Sequence, residues 1–129
     1  MESKSIDKTC PFCSPSEDEI ILKNKTCYAK FDKFPVNKGH LLIIPFRHFD
    51  NYFEATKEEK IDIQHLIDKA KKYLDINFNP DGYNIGINIG KHAGQTIFHV
   101  HIHLIPRYKG DIENPRGGVR GVIPEKRIY

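Results

Sequence analysis

Hydrophobic patterning marks most of the chain's elements. "EIILKN" and "TCYAKFD", within residues 20–34 and parted by Asn24-Lys25, read as the two short strands of a hairpin. "HLLIIP", His40 to Pro45, is an apolar run of strand length stopped by a proline, the pattern of a strand buried on both faces. Between them "FPVNKG" carries turn chemistry in Pro35, Asn37 and Gly39. Thr56 with Glu59 three residues on is a capping box, and Ile61, Leu66, Ile67, Ala70 and Leu74 follow at helical spacing, so a helix starts there; a shorter helical turn is expected over 50–54. "YNIGINIG", 83–90, alternates as a strand, and "IFHVHIHLIP", 97–106, alternates most regularly of all. The order of strands, helix, strands predicts an α+β domain with an antiparallel sheet rather than alternating βαβ units.

Composition narrows the class. At 129 residues and 39% hydrophobic, the chain suits one domain with a real core, read as 10–129 after a flexible terminus at 1–9 and ending in a loop-rich tail at 108–129. A net charge of +3 and a pI near 8.7 are too mild and too dispersed for a nucleic-acid footprint but suit a small anionic ligand. Three cysteines and no apolar leader argue for a reduced, cytoplasmic protein, and no apolar run approaches the roughly 20 residues of a membrane span. Neither G-x-G-x-x-G nor a P-loop is present.

The histidines carry the chemistry. In a strand over 97–106, His99, His101 and His103 share one face, while Val100, Ile102 and Leu104 share the other and pack on the core. Each histidine alone suits an ordinary half-exposed strand. Three in strict alternation suit a metal site or a nucleophile with supporting groups. Neutral imidazole can attack phosphorus, and its neighbours can donate hydrogen bonds to phosphate oxygens. The preceding "HAGQT" offers backbone N–H groups with the Gln95 and Thr96 side chains.

"HVHIHLI" resembles the signature of the histidine-triad (HIT) family, three histidines alternating with apolar residues. "AGQTIFHVHIHLIPR" is similar to that family's signature block, "FDKFPVNKGHLLIIPFRH" to its upstream block, and with "CPFC" the resemblance covers most of 10–107. It implies a five-stranded antiparallel sheet with helices, a homodimer, and a nucleotide hydrolase or nucleotidyl transferase acting on a purine nucleotide; that no nucleic-acid or membrane partner is expected comes from the charge pattern and the lack of a long apolar run. By position, His101 becomes the nucleophile that attacks the α-phosphorus and forms a nucleotidyl-histidine. His103 contacts the phosphate, His99 supports the triad geometry and His40 buttresses the nucleophile. Asn88, Gln95 and Thr96 fall at the phosphate. Asp32 falls at the ribose, and Phe12, Phe31 and Leu42 near the base, where core packing is the other reading of Phe31 and Leu42. His103 also sets the chain apart from the galactose-1-phosphate uridylyltransferase branch, which has glutamine there.

Cys10 and Cys13 form a C-x2-C, half a zinc site or a redox pair. The resemblance completes it with His48 and His99, giving a structural zinc ion (Zn2+) with no open position; a catalytic zinc and metal-free cysteines are the competing readings. Cys27 reads as a small buried residue, His65 as solvated on the helix, and His92 as a loop residue near the phosphate side.

Three activities compete: hydrolysis of a dinucleoside polyphosphate or a nucleoside phosphoramidate, phosphorolysis of a dinucleoside polyphosphate, and nucleotide binding with little catalysis. "HLIPR" resembles the dinucleoside-polyphosphate branch. In the tail, Arg107, Arg116 and Arg120 are read as neutralising a polyphosphate chain, or as a solvated tail or dimer contact.

Overall fold

The alternating N-terminal segments form the expected hairpin, β1 (Leu22–Lys23) and β2 (Cys27–Phe31), closed by Asn24, whose side-chain oxygen accepts the Thr26 and Cys27 N–H groups. These and all following elements come from a computed structural model that describes residues 9–129; residues 1–8 of the expected flexible terminus lie outside the described residues. The apolar run gives β3 (Leu41–Pro45), buried at every position. The capping box starts α1 (Lys57–Phe78): the Thr56 hydroxyl accepts the Glu59 N–H and the Glu59 carboxylate accepts the Thr56 N–H. A 3-10 turn over Tyr52–Glu54 precedes it. β4 (Gly82–Ile87) and β5 (Ile102–Arg107) complete an antiparallel five-stranded sheet in the order β1-β2-β3-β5-β4. From Tyr108 onward the chain makes only short 3-10 turns, over Gly118–Val122 and Pro124–Lys126.

The two sheet faces take different side chains. α1 packs Ile63, Leu66, Ala70 and Leu74 against Ala29, Leu41, Ile43, Val100, Ile102 and Leu104. Ile61, expected on the inner stripe, is exposed, and Ile63 takes that place. Arg47 forks onto Glu59 and lies over the Phe49 ring, tying the start of α1 to the segment after β3. The opposite face buries Phe12, Tyr28, Leu42 and Ile44. Lys30, Leu42, His103 and Gly86 are cross-strand partners in one row on that face, which is how the sheet brings residues from distant parts of the chain to one place.

The main departure from the expected pattern lies just before β5. The strand begins at Ile102 rather than Ile97, so His99 and His101 sit in an irregular approach to it. Pro45 has no N–H to offer the next rung, and its carbonyl lies 2.7 Å from the His99 ring Nε2. Val100 bonds to the Phe49 carbonyl instead and still points into the helix-side core.

Gly39, which positions His40, has φ +87°, and a Cβ there would meet Leu74, Phe78 and Pro106 at 3.1–3.2 Å. Gly39→Ala is therefore expected to cost about 1–3 kcal/mol through left-handed strain and overpacking. An unchanged urea midpoint would show that the end of α1 yields.

Candidate active site

His101 is buried with its ring 5.1 Å from Phe12 and 5.2 Å from His103. Its Nδ1 lies 2.8 Å from the His99 carbonyl oxygen. A carbonyl only accepts, so the proton sits on Nδ1 and the lone pair on Nε2. That is the form a nucleophilic histidine requires.

A second chain of hydrogen bonds fixes its neighbour. The Val36 N–H donates to His40 Nδ1 at 3.0 Å, which leaves the His40 proton on Nε2. That N–H faces His103 Nδ1 at 2.9 Å, with Asp32 Oδ2 a second acceptor at 3.4 Å. His103 accepts at Nδ1, so its own proton is on Nε2. The two histidines thus offer opposite chemistry: His101 a lone pair, His103 a donor. His40, expected beside the nucleophile, braces His103 instead.

Burial favours the neutral form of His40 and His103. It pushes His103 down to about 4, helped by His101 and His40 and opposed by Asp32. Burial also lowers His40, again against Asp32. Between pH about 6.5, the ordinary value, and about 4, the unfolded chain takes up protons that the folded site refuses. Stability should therefore fall as pH falls through that window, by at most about 1.4 kcal/mol per pH unit per such histidine. Urea midpoints at pH 7, 6 and 5 check this; a flat profile, or one no shallower in His103→Gln, would contradict it.

Behind the triad, Cys10, Cys13, His48 and His99 put their ligand atoms within 4.8 Å of one another. Cys13 Sγ lies 3.2 Å from His48 Nδ1 and 3.6 Å from His99 Nδ1, Cys10 Sγ lies 3.4 Å from His99 Nδ1, and the two Nδ1 atoms are 3.2 Å apart. Bonds of about 2.3 Å to sulfur and 2.0–2.1 Å to nitrogen give a tetrahedron with edges of about 3.3–3.8 Å, close to these spacings. The His99 proton is held on Nε2 by the Pro45 carbonyl, leaving Nδ1 free to ligate, and the Phe12 N–H donates to Cys10 Sγ. Burial pushes His99 down to about 4, so it stays in the ligating form. The chemistry of the donor set fits a tetrahedral metal ion. Cys27 is separate: buried on the helix face, its thiol is pushed up to about 12 by burial.

The expected substrate contacts divide. Asp32 and Asn88 line one groove with His40 and His103. Gln95 does not reach it: its oxygen accepts the Gly90 N–H, and its amide donates to the Asp50 and Ile97 carbonyls, so both donors are committed to its own loop. Thr96 is exposed on the other side, in a pocket with Cys10 and His48. Phe31 packs on Tyr73 and Phe78 of α1, on the sheet face away from the triad. Phe12 and Leu42 are on the triad face but buried in its small core. His65 and His92 are exposed and line none of these cavities. Sequence reasoning passed over Lys30, which is buried, paired with Glu19 at 3.2 Å and lies 5.5 Å from the Phe12 ring centroid. It also passed over Tyr28, whose hydroxyl donates to the Phe12 carbonyl. A polar residue inside an apolar strand pattern was the available signal for Lys30.

The groove is about 560 Å3, and its far wall is the C-terminal segment, through Gly118, Val119, Gly121 and Val122. The tail arginines do not line it. Arg107 forks onto Asp111 and donates to Asn84, while Arg116 and Arg120 stack on the Tyr129 ring.

The HIT domain model matches residues 14–110. An AP-4-A phosphorylase of Mycobacterium tuberculosis is 31% identical over 102 residues, 78% of this chain and 52% of that protein, so the chain spans about half the relative's length. A bis(5'-adenosyl)-triphosphatase of Dictyostelium discoideum is 39% identical over 98 residues, 76% of this chain and 66% of that one. Among solved structures, a Zn-bound histidine triad family protein of Mycobacterium smegmatis superposes with a TM-score of 0.73 at 29% identity, covering 83% of this chain and 81% of that one.

Proposed function

The chain belongs to the HIT domain family, and from that premise we propose that it is a nucleotide hydrolase acting at the α-phosphorus through a nucleotidyl-histidine. The observation that carries this is a pair of contacts, His101 Nδ1 on the His99 carbonyl and His40 Nε2 on His103 Nδ1, from which the tautomers follow: His101 with its lone pair on Nε2 beside His103 with its proton on Nε2.

In the reaction, the His101 Nε2 lone pair forms a bond to phosphorus as the bond to the leaving group breaks, its electron pair departing with that group, which takes up a proton from solvent. The His103 N–H, held by His40 and the Val36 N–H, donates to a non-bridging oxygen as charge builds there. Water then attacks phosphorus and gives up a proton to solvent, the N–P bond breaks with its pair returning to Nε2, and a nucleoside monophosphate leaves. In this reading Asp32 meets the ribose hydroxyls and Asn88 a phosphate oxygen, both from the groove wall. The substrate is a purine dinucleoside polyphosphate or a nucleoside phosphoramidate, the first supported by the names of the relatives. Zinc is the proposed metal. Cys10, Cys13, His48 and His99 would hold it, and with four protein ligands it would act structurally, fixing the turn that leads into His101. The same reading carries a cytoplasmic homodimer that binds neither nucleic acid nor membranes; among the described residues no helix is long and apolar enough to cross a membrane.

Incubation with diadenosine tetraphosphate or adenosine 5'-phosphoramidate in 18O water tests the proposal. The expected product is AMP carrying one 18O. ADP formed only with added phosphate would assign phosphorolysis, the activity named for the M. tuberculosis relative. Binding without any product would leave a nucleotide-binding protein.

A further inference from the structure

The His40 tautomer depends on a backbone N–H, that of Val36, and Val36 lies in the loop 32–40 between β2 and β3. Asn37 grips His40 from the next position, its carbonyl accepting the His40 N–H at 3.2 Å. Its side-chain amide spends both protons on the far side of the loop, one on the Pro106 carbonyl at 3.1 Å and one on Asp111 Oδ2 at 2.8 Å. The Tyr108 hydroxyl donates to the Lys38 carbonyl at 2.7 Å. Three hydrogen bonds thus tie Asn37 and Lys38 to the end of β5 and the turn after it, 69 to 74 residues away in sequence.

Asp111 is the centre of this tie. Arg107 forks onto both its oxygens at 2.8 and 2.9 Å, and the Tyr108 N–H donates to it at 3.0 Å. Its side chain is only 12% exposed although the turn is at the surface. Hydrogen bonds from Arg107 and the Tyr108 N–H hold its carboxyl well below the usual carboxylate range, so it is a charged acceptor for Asn37.

The consequence turns on one proton. With the Val36 N–H on Nδ1, His40 carries its proton on Nε2, and His103 keeps its own on the Nε2 that serves as donor. If Val36 moves off, the His40 proton can pass to Nδ1. His40 Nε2 then accepts from His103 Nδ1, and His103 Nε2 is left a lone pair where the reaction needs a donor. We infer that Asn37 and Asp111 are positioning residues, which act through Val36 and His40 to keep the proton on His103 Nε2. The effect on rate rests on the hydrolase reading; the effect on the tautomers does not.

NMR of protein labelled with 15N-histidine shows which ring nitrogens carry protons. In the wild type His40 and His103 should both be protonated on Nε2. In Asn37→Ala and in Asp111→Ala both should be found protonated on Nδ1 in about a tenth of molecules or more. In Asn37→Ala kcat should fall about tenfold with KM within about threefold. Added to His103→Ala, the same substitution should change kcat by less than about twofold, because no donor is left to position. Tyr108→Phe, which removes only the Lys38 tie, is the variant to use if the others do not unfold cooperatively, and it should shift the tautomers in the same direction. Unchanged tautomers in the folded variants overturn the proposal, and so does a kcat loss of equal size with and without His103. If the wild type turns over neither substrate, the hydrolase reading fails, and the spectra alone decide the positioning role.

Discussion

His101→Ala is expected to lower turnover by about 10^4-fold or more while nucleotide affinity stays within a few-fold. Removing a group that forms a bond to the reacting atom eliminates the covalent route, and what survives is only the binding and electrostatic contribution of the rest of the site. The comparison with His103→Ala makes the claim specific. His103 supplies one donor, so its loss should cost about 10^2–10^3-fold. His40→Ala should resemble it, because His40 acts on His103 and has no hydrogen bond to His101. Rapid-quench measurement of a 32P-labelled nucleotide bound to protein supplies a second readout: the adduct should form in the wild type, be acid-labile, and be absent in His101→Ala. If His103→Ala were the deeper loss and His101→Ala kept the adduct, the roles assigned to the two rings would be exchanged. His101 is buried beside Phe12, so the alanine leaves a cavity, and His101→Asn is the variant that separates lost chemistry from lost packing.

The fold was legible where one residue type dictates one backbone behaviour. Thr56 and Glu59 announced the start of α1, and the apolar run before Pro45 announced β3. The alternation after Phe98 placed Val100, Ile102 and Leu104 in the core correctly even though regular pairing begins only at Ile102. That shift was hidden: the Pro45 carbonyl meets a ring distant in sequence. Of the candidate site, the sequence pointed to groups that the fold does bring together, and much less to their surroundings. The four proposed metal ligands converge, and Asp32, Asn88, His40 and His103 share a groove. Gln95 was misread because a side-chain amide serves a loop and a phosphate equally well on paper; three backbone groups in its own neighbourhood claimed it first. Phe31 fell one residue out of phase. On β2 the even-numbered positions face the triad, so Lys30, not Phe31, stands on that side. The part played by Val36 is a backbone N–H, and no side chain could have announced it.

Stripping the proposed zinc is expected to lower the melting temperature by about 12–24 °C. An ion that binds only the folded state at a thousandfold excess over its Kd stabilises by about 4 kcal/mol, and in a domain of this size each kcal/mol moves the midpoint by about 3–6 °C. The sheet and α1 have their own core, so the protein should remain folded without metal, unlike an isolated zinc finger. The expected signature is one zinc per chain by elemental analysis. Cobalt in its place should give the intense visible bands of a tetrahedral sulfur and nitrogen site, lost in Cys13→Ser. Activity supplies the discrimination that stability cannot. A structural ion would act on His101 through the His99 carbonyl that holds the His101 proton and through Phe12, whose N–H bonds Cys10 Sγ and whose ring lies beside His101, so chelation at a temperature where the fold survives should lower kcat partially and leave the covalent adduct detectable. A catalytic ion would behave in the opposite way: Cys13→Ser would abolish adduct formation at full stability, and cadmium or cobalt would change the rate in step with their Lewis acidity. The four ligand atoms lie within 4.8 Å of one another, and four protein ligands would close a tetrahedral site and leave no corner for substrate, which is why the partial loss is the outcome to expect.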